Sequence, residues 1–151
     1  MVIRAAHRHD LPAWSVMRTA LWPNTGDGHL AELRAYFAGA STDIVEAFVV
    51  EIGQGRLAGV LEMNIRNFAE GSRSPQRLYV EGWFICEAYR GMGLGKALIA
   101  RAKQWAIERG YHELASDTEV DNTHSIALHK ALGFRETERI VCFLKNLAPS
   151  S

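Results

Sequence analysis

The chain has 151 residues, of which 48% are hydrophobic and 23% charged, a globular composition at the size of one ordinary domain. Seventeen Lys+Arg balance seventeen Asp+Glu, so no overall field draws nucleic acid or an anionic membrane, and any charge preference must be local. The two cysteines, Cys86 and Cys142, lie far apart with no Cys/His ligand spacing, which suggests neither a disulfide framework nor a metal site and fits a reducing cytoplasm. The N-terminus lacks the apolar core of a signal peptide, and no run reaches the about 20 apolar residues of a membrane span.

In chain order, Val2–Ala5 reads as a first strand. Asp10 is placed to cap a helix with Leu11, Trp14, Met17 and Leu21 at helical spacing, stopped by Pro23. Leu30, Leu33, Tyr36 and Phe37 predict a second helix closing near Gly39. Residues 44–52 and 57–65 are rich in Val and Ile, and Gly53-Gln54-Gly55 between them predicts an antiparallel hairpin. Residues 67–76 read as a loop before a strong strand, 78–86. Gly82 interrupts that strand, as glycine does at a bulge or where a ligand approaches the backbone.

A long helix follows from Gly93 or Leu94 to Arg109, with Leu94, Leu98, Ala102 and Trp105 on one stripe and Gly110 as its stop. Then come a strand over 113–118, a helix capped by Asp121 or Asn122 and ended by Gly133, and a final strand or bent pair over 134–144. No repeat or linker divides the chain, so residues 1–148 are expected to form a single domain with a short polar tail, 149–151. The order of elements predicts an α/β (α+β) domain with at least one parallel crossover. Cys86 and Cys142, both in expected strands, are expected to be buried free thiols.

The most informative segment is Arg90-Gly91-Met92-Gly93-Leu94-Gly95-Lys96, between a strand and an amphipathic helix. Alternating glycines let backbone N–H groups converge on a ligand, and the helix adds the positive end of its dipole, which suits a phosphate or pyrophosphate. The bland alternative is that the glycines only turn the chain. A nucleotide P-loop needs GxxxxGK[ST], which is absent, and a dinucleotide fold needs its glycines after the first strand of the unit.

This segment resembles the coenzyme A signature [Q/R]-x-x-G-x-[G/A] of the GNAT superfamily of N-acetyltransferases, and the flanking strand and helix stand in that superfamily's order. The resemblance implies the GNAT acyltransferase fold, a central mixed and mostly antiparallel sheet flanked by helices. It also implies acetyl-CoA as cofactor, with its pyrophosphate on Arg90, Gly91, Met92, Gly93, Leu94, Gly95 and Lys96 and its pantetheine arm along Phe84, Ile85 and Cys86. A narrower likeness is carried by Leu21-Trp22-Pro23, Val80-Glu81-Gly82, Ala115-Ser116-Asp117-Thr118, and Leu132-Gly133-Phe134 with Glu136-Thr137-Glu138-Arg139. Over nearly the whole chain these blocks resemble the aminoglycoside 6′-N-acetyltransferases. That family transfers acetyl directly to a 6′-amine, confers antibiotic resistance and generally forms homodimers.

Such a substrate carries several ammonium groups, so its site should be rich in carboxylates and aromatic faces. Residues 111–123 carry Glu113, Asp117, Glu119 and Asp121 without Lys or Arg. Glu81 lies in an otherwise apolar strand, where an ionised side chain is costly unless paired or facing a wet cavity. It is the leading functional carboxylate, accepting the amine proton directly or through a water. The resemblance places Glu81, Asp117 and Glu138 in the aminoglycoside site, with Trp22 lining it. The structural alternatives are a solvated face for Glu138, a strand-end cap for Asp117 and a core position for Trp22. A backbone N–H near Trp83 to Ile85 would meet the oxyanion.

Asn122-x-x-Ser125-x-x-x-His129 aligns with the stretch where relatives often have tyrosine, so Asn122 and His129 are expected at the cofactor and His129 is the candidate acid, unless it only packs or caps. Two further family tyrosines are absent, replaced by Cys142-Phe143 and by Asn67-Phe68-Ala69-Glu70. The competing functions are acetylation of another amine, such as a polyamine or a protein N-terminus, and a non-catalytic acyl-CoA sensor.

Overall fold

Runs rich in Val, Ile, Leu and Phe build a five-stranded sheet whose strands stand in chain order: β1 Val2–Ala5, β2 Glu46–Gly53, β3 Arg56–Arg66, β4 Arg77–Ile85 and β5 Ala115–Ser116. β1 to β4 pair antiparallel, and β5 joins β4 in parallel. The helices are α1 Leu11–Leu21, α2 Gly28–Phe37, α3 Leu94–Glu108 and α4 Thr123–Ala131. This computed structural model describes residues 1–23, 28–66, 69, 72 and 77–148. The chain separates into two compact units, Met1–Asp117 and Thr118–Ser151.

In the first unit, α1 and α2 cover one face of the sheet, where Trp14, Met17, Leu33, Ile44, Ala47, Val49 and Val60 form a dry cluster. α3 buries Leu94, Leu98, Ile99, Ala102, Trp105 and Ala106 and packs on β2, β3 and β4. With helices on both sides, Ala47, Phe48, Val49 and Val50 are buried in succession, so β2 is a continuous apolar run rather than an alternating one. The hairpin forms as its sequence requires, with positive φ at Gly53, Gln54 and Gly55. Gly59 admits a close approach of β4: a Cβ there would stand 2.8 Å from the Phe84 carbonyl oxygen. Among the described residues no helix is long and apolar enough to cross a membrane.

Asp10 does not cap α1 with its side chain. Its carboxylate instead receives Arg4 Nη1 at 2.7 Å, Arg4 Nη2 at 2.9 Å and the His7 amide at 2.7 Å. A charge-assisted fork outcompetes a single cap bond, and Pro12 in the first turn removes one of the donors a cap would serve. The strand expected over 113–118 shortens to Ala115–Ser116, because only those residues find partners on β4.

In the second unit, the Asn122 side chain caps α4 by accepting from Ser125 N at 3.1 Å, and Gly133 closes it at φ +91°. The final strand expected over 134–144 does not form. A strand needs a second edge to pair its backbone groups, and the described residues of this unit offer none. Ile140, Val141, Phe143, Leu144 and Leu147 are left exposed. Cys142 is likewise exposed rather than buried, and Cys86, just past β4, is half-buried.

Candidate active site

Two features of β4 define the site. The first is a change of register against β3: Glu62 pairs with Gly82, but Met63 pairs with Val80, leaving Glu81 as the extra residue of a bulge. Glu81 and Gly82 therefore turn to the same face, where simple alternation would send Glu81 to the opposite one. Gly82 is needed beside it because a Cβ would stand 2.9 Å from the Trp22 indole. The second feature is that the β4–β5 ladder spans only Tyr79↔Ala115 and Val80↔Ser116. Past Val80 the β5 side of β4 is no longer in the ladder.

On the face to which Glu81 turns lies a cavity of about 340 Å³ lined by Arg18, Trp22, Glu32, Asp43, Glu62, Asn64, Arg66 and Glu81. Glu62, Asn64 and Arg66 reach it from β3 at the two-residue strand period. Glu81 gives both oxygens to Arg66, at 2.6 Å from Nε and 2.6 Å from Nη2. The same guanidinium lies 3.6 Å over the Tyr79 ring, and the Tyr79 hydroxyl donates to Asp117 at 2.8 Å. The Glu81 hydrogen bonds raise the guanidinium's pKa against the opposing effect of burial.

Deeper in, Glu62 is buried and accepts from Trp14 Nε1 at 2.8 Å. Arg18 Nε stands 3.2 Å from the same carboxylate, while Arg18 Nη1 donates to Glu32 at 2.9 Å. Burial pushes the Glu62 carboxyl up, and Arg18 and Trp14 only partly offset it. Trp22 has two neighbours: Arg18 lies 5.0 Å from its ring centroid, and buried His29 places Nε2 3.3 Å from its carbonyl oxygen. Trp22 is half-buried and lines the cavity, so it is not a core residue.

On the opposite face of β4, Trp83 Nε1 donates to the Gly95 carbonyl at 3.2 Å and ties the strand to the glycine loop. Arg90 Nε donates to Ile85 O at 2.9 Å, with its guanidinium 5.5 Å from the Phe84 ring. Gly91 and Gly93 have φ +79° and +78°, with open space where a Cβ would be. Gly93 is the N-cap of α3, no side chain caps it, and the first turn carries no acid. Leu94 anchors the turn in the core, while Met92 and Lys96 are exposed. An uncapped helix start with glycines, Arg90 and Lys96 around it suits an anionic group such as a pyrophosphate.

Of the expected acceptor-site residues, Trp22, Glu81 and Asp117 belong to the first unit, the last two linked through Arg66 and Tyr79. Glu138, Asn122 and His129 belong to the second unit. Glu138 is exposed. His129 Nδ1 lies 2.7 Å from Ser125 O, a contact that places the ring proton on Nδ1, and its ring packs edge-on against Phe134. The Asn67-Phe68-Ala69-Glu70 stretch lies outside the described residues except for Ala69. Sequence reading passed over Arg18, Glu32, Asp43, Glu62, Asn64 and Arg66. A signal existed for Glu62, a lone carboxylate in an apolar strand like Glu81.

A sheet that parts beside an uncapped, glycine-rich helix start, with a bulge presenting a carboxylate to a cavity, is the framework of an acetyl-CoA-dependent N-acetyltransferase. The Acetyltransferase (GNAT) family profile matches residues 14–134, and the chain belongs to that family. It is 36% identical over 150 residues to an aminoglycoside N(6′)-acetyltransferase type 1 of Stenotrophomonas maltophilia, covering 99% of this chain and 95% of the relative. It is 39% identical over 142 residues to one of Serratia marcescens, covering 92% and 95%. Among solved structures it is similar to AAC(6′)-Iy in complex with the bisubstrate analogue CoA-S-monomethyl-acetylneamine, with TM-score 0.86, 33% identity and coverage of 96% and 97%. It is also similar to the apo 6′-N-acetyltransferase AAC(6′)-IG of Acinetobacter haemolyticus, with TM-score 0.85, 30% identity and coverage of 98% and 100%.

Proposed function

We propose that the protein transfers acetyl from acetyl-CoA directly to the 6′-amine of aminoglycosides in the cytoplasm, and so confers resistance to them. The observation that carries this reading is the bulge that turns Glu81 into a carboxylate-lined cavity beside Trp22, one peptide unit from the strand segment that reaches the glycine loop. Full-length similarity to enzymes named for this reaction supports it.

The bound cofactor supplies an activated acetyl thioester. The glycine-loop amides, Arg90 and Lys96 would hold its pyrophosphate and Phe84 and Ile85 would border its arm, while the family likeness assigns Asn122 and His129 of the second unit to the same cofactor. Trp22 and Asp117 hold the acceptor's ring and ammonium groups, and the family likeness assigns Glu138 of the second unit the same role. Glu81 accepts the 6′-ammonium proton, directly or through one water, giving the neutral nitrogen that attacks. A β4 amide near Trp83 to Ile85 meets the developing oxyanion. His129 is the candidate proton donor to the departing thiolate. With Nδ1 bonded to Ser125 O, its neutral ring offers Nε2 as an acceptor, so this role requires the imidazolium.

The chain is proposed to work as a homodimer, for which the exposed apolar arm after Gly133 is the candidate contact. Thiol release from acetyl-CoA is to be measured against aminoglycosides with and without a 6′-amine, with spermidine and a peptide as controls. Release confined to 6′-amino compounds is expected. Release with spermidine or peptide alone would overturn the substrate, and none at all alongside acetyl-CoA binding would favour a sensor. Glu81→Gln should lower kcat by about 10²–10⁴-fold while acetyl-CoA affinity is kept.

A further inference from the structure

Glu81, the carboxylate meant for an ammonium, is already engaged by a cation. Arg66 meets both of its oxygens at 2.6 Å. The same guanidinium covers the Tyr79 ring, whose hydroxyl binds Asp117, so one positive charge serves the two acceptor carboxylates of the first unit. An incoming ammonium cannot share Glu81 with this guanidinium without like-charge repulsion across a few ångströms. Arg66 is free to yield: it is the last residue of β3 and its side chain is 38% exposed, so it can turn into solvent at little steric cost.

The rest of the cavity decides which acceptors can afford to move it. Its lining sets Glu32, Asp43, Glu62 and Glu81 against Arg18 and Arg66. Arg18 is committed to Glu62 and Glu32, whereas Asp43 is exposed beside the cavity. An acceptor with one ammonium exchanges one ion pair at Glu81 for another and gains little. An acceptor with several ammonium groups replaces Arg66 and also meets Asp43.

Resting on the proposed acetylation of amino sugars, we propose that Arg66 is a specificity-determining residue: a resident counter-cation that the acceptor must displace, which admits polycationic amino sugars and holds out monocationic ones. Its consequence is a KM effect, since the pair is broken before the chemical step.

The test compares wild type with Arg66→Gln and with Arg66→Met, which keeps the stem over Tyr79 without the charge. KM and kcat are measured for kanamycin and for 6-amino-6-deoxyglucose, which carries a single ammonium. In both variants KM for the monoamine should fall about tenfold, the equivalent of one charge-assisted contact, while KM for kanamycin falls less and kcat holds. An unchanged ratio of the two KM values, or a rise in KM for both, would overturn the proposal. If wild type acetylates neither sugar, the functional reading has failed, and the gate is read from calorimetric binding of the same two compounds without acetyl-CoA. Tighter monoamine binding by Arg66→Gln then supports it, and equal or weaker binding overturns it.

Discussion

At the scale of single residues, the buried carboxylates among the described residues are met by donors. Asp10 is the clearest case. Its side chain is fully buried, and burial alone would push its pKa up, but the Arg4 fork and the His7 amide reverse this and hold it below the ordinary carboxylate value. A lowered folded pKa contributes stability that is complete above the unfolded value, about 3.9, and is lost as pH falls through the folded one. Asp10→Asn leaves Arg4 without its buried partner and should cost about 3 kcal/mol in urea unfolding at pH 7. The gap from wild type should then shrink below about pH 4. A gap independent of pH would assign the loss to packing instead. Glu62 is the opposite case: its raised pKa means that ionisation works against the fold, and Arg18 and Trp14 limit that penalty.

At the scale of elements, hairpin pairing and the two glycine contacts place the site. Gly59→Ala would drive a methyl to 2.8 Å from the Phe84 carbonyl oxygen and 2.6 Å from Ile85 Cδ1. One neighbour is backbone and cannot swing aside, so a loss of about 1–3 kcal/mol and a weaker hold on acetyl-CoA are expected, checked by thermal unfolding and calorimetry. Unaltered stability would show that β3 and β4 can separate freely. The elements themselves were largely legible in the sequence, because apolar periodicity and the glycines at 39, 53, 55, 110 and 133 mark them directly. The glycine loop was legible for the same reason. Gly82 announced an irregularity in β4 but not that Glu81 is the extra residue, which depends on register with β3 across residues 67–76. For that reason Arg66 could not be paired with Glu81 in advance, and Glu62, Asn64 and Arg66 did not stand out as one polar row. Strand ends were misplaced where pairing rather than propensity decides, as at residues 113–118 and 134–144.

At the scale of the whole molecule, the segment after α4 carries Phe143 at 93% and Leu144 at 101% exposure, with Val141 and Leu147 also exposed. So much apolar surface in one stretch marks a contact surface, and it supports the proposed dimer. Sedimentation should find a dimer for wild type and a monomer for the double substitution Phe143→Asp, Leu144→Asp. A monomeric wild type would remove this role from the arm.

Gly82 and Trp83 are neighbours in the chain yet face opposite sides of β4, one against Trp22 at the acceptor cavity and the other bonded to the glycine loop. The proposed acceptor cavity and the glycine loop thus lie to the two sides of a single peptide plane. By linkage, any factor by which the loop's ligand alters acceptor affinity through it must equal the factor by which the acceptor alters the ligand's. The register of Gly82 and Trp83 therefore sets both surroundings at once, one against the Trp22 indole and the other at the Gly95 carbonyl.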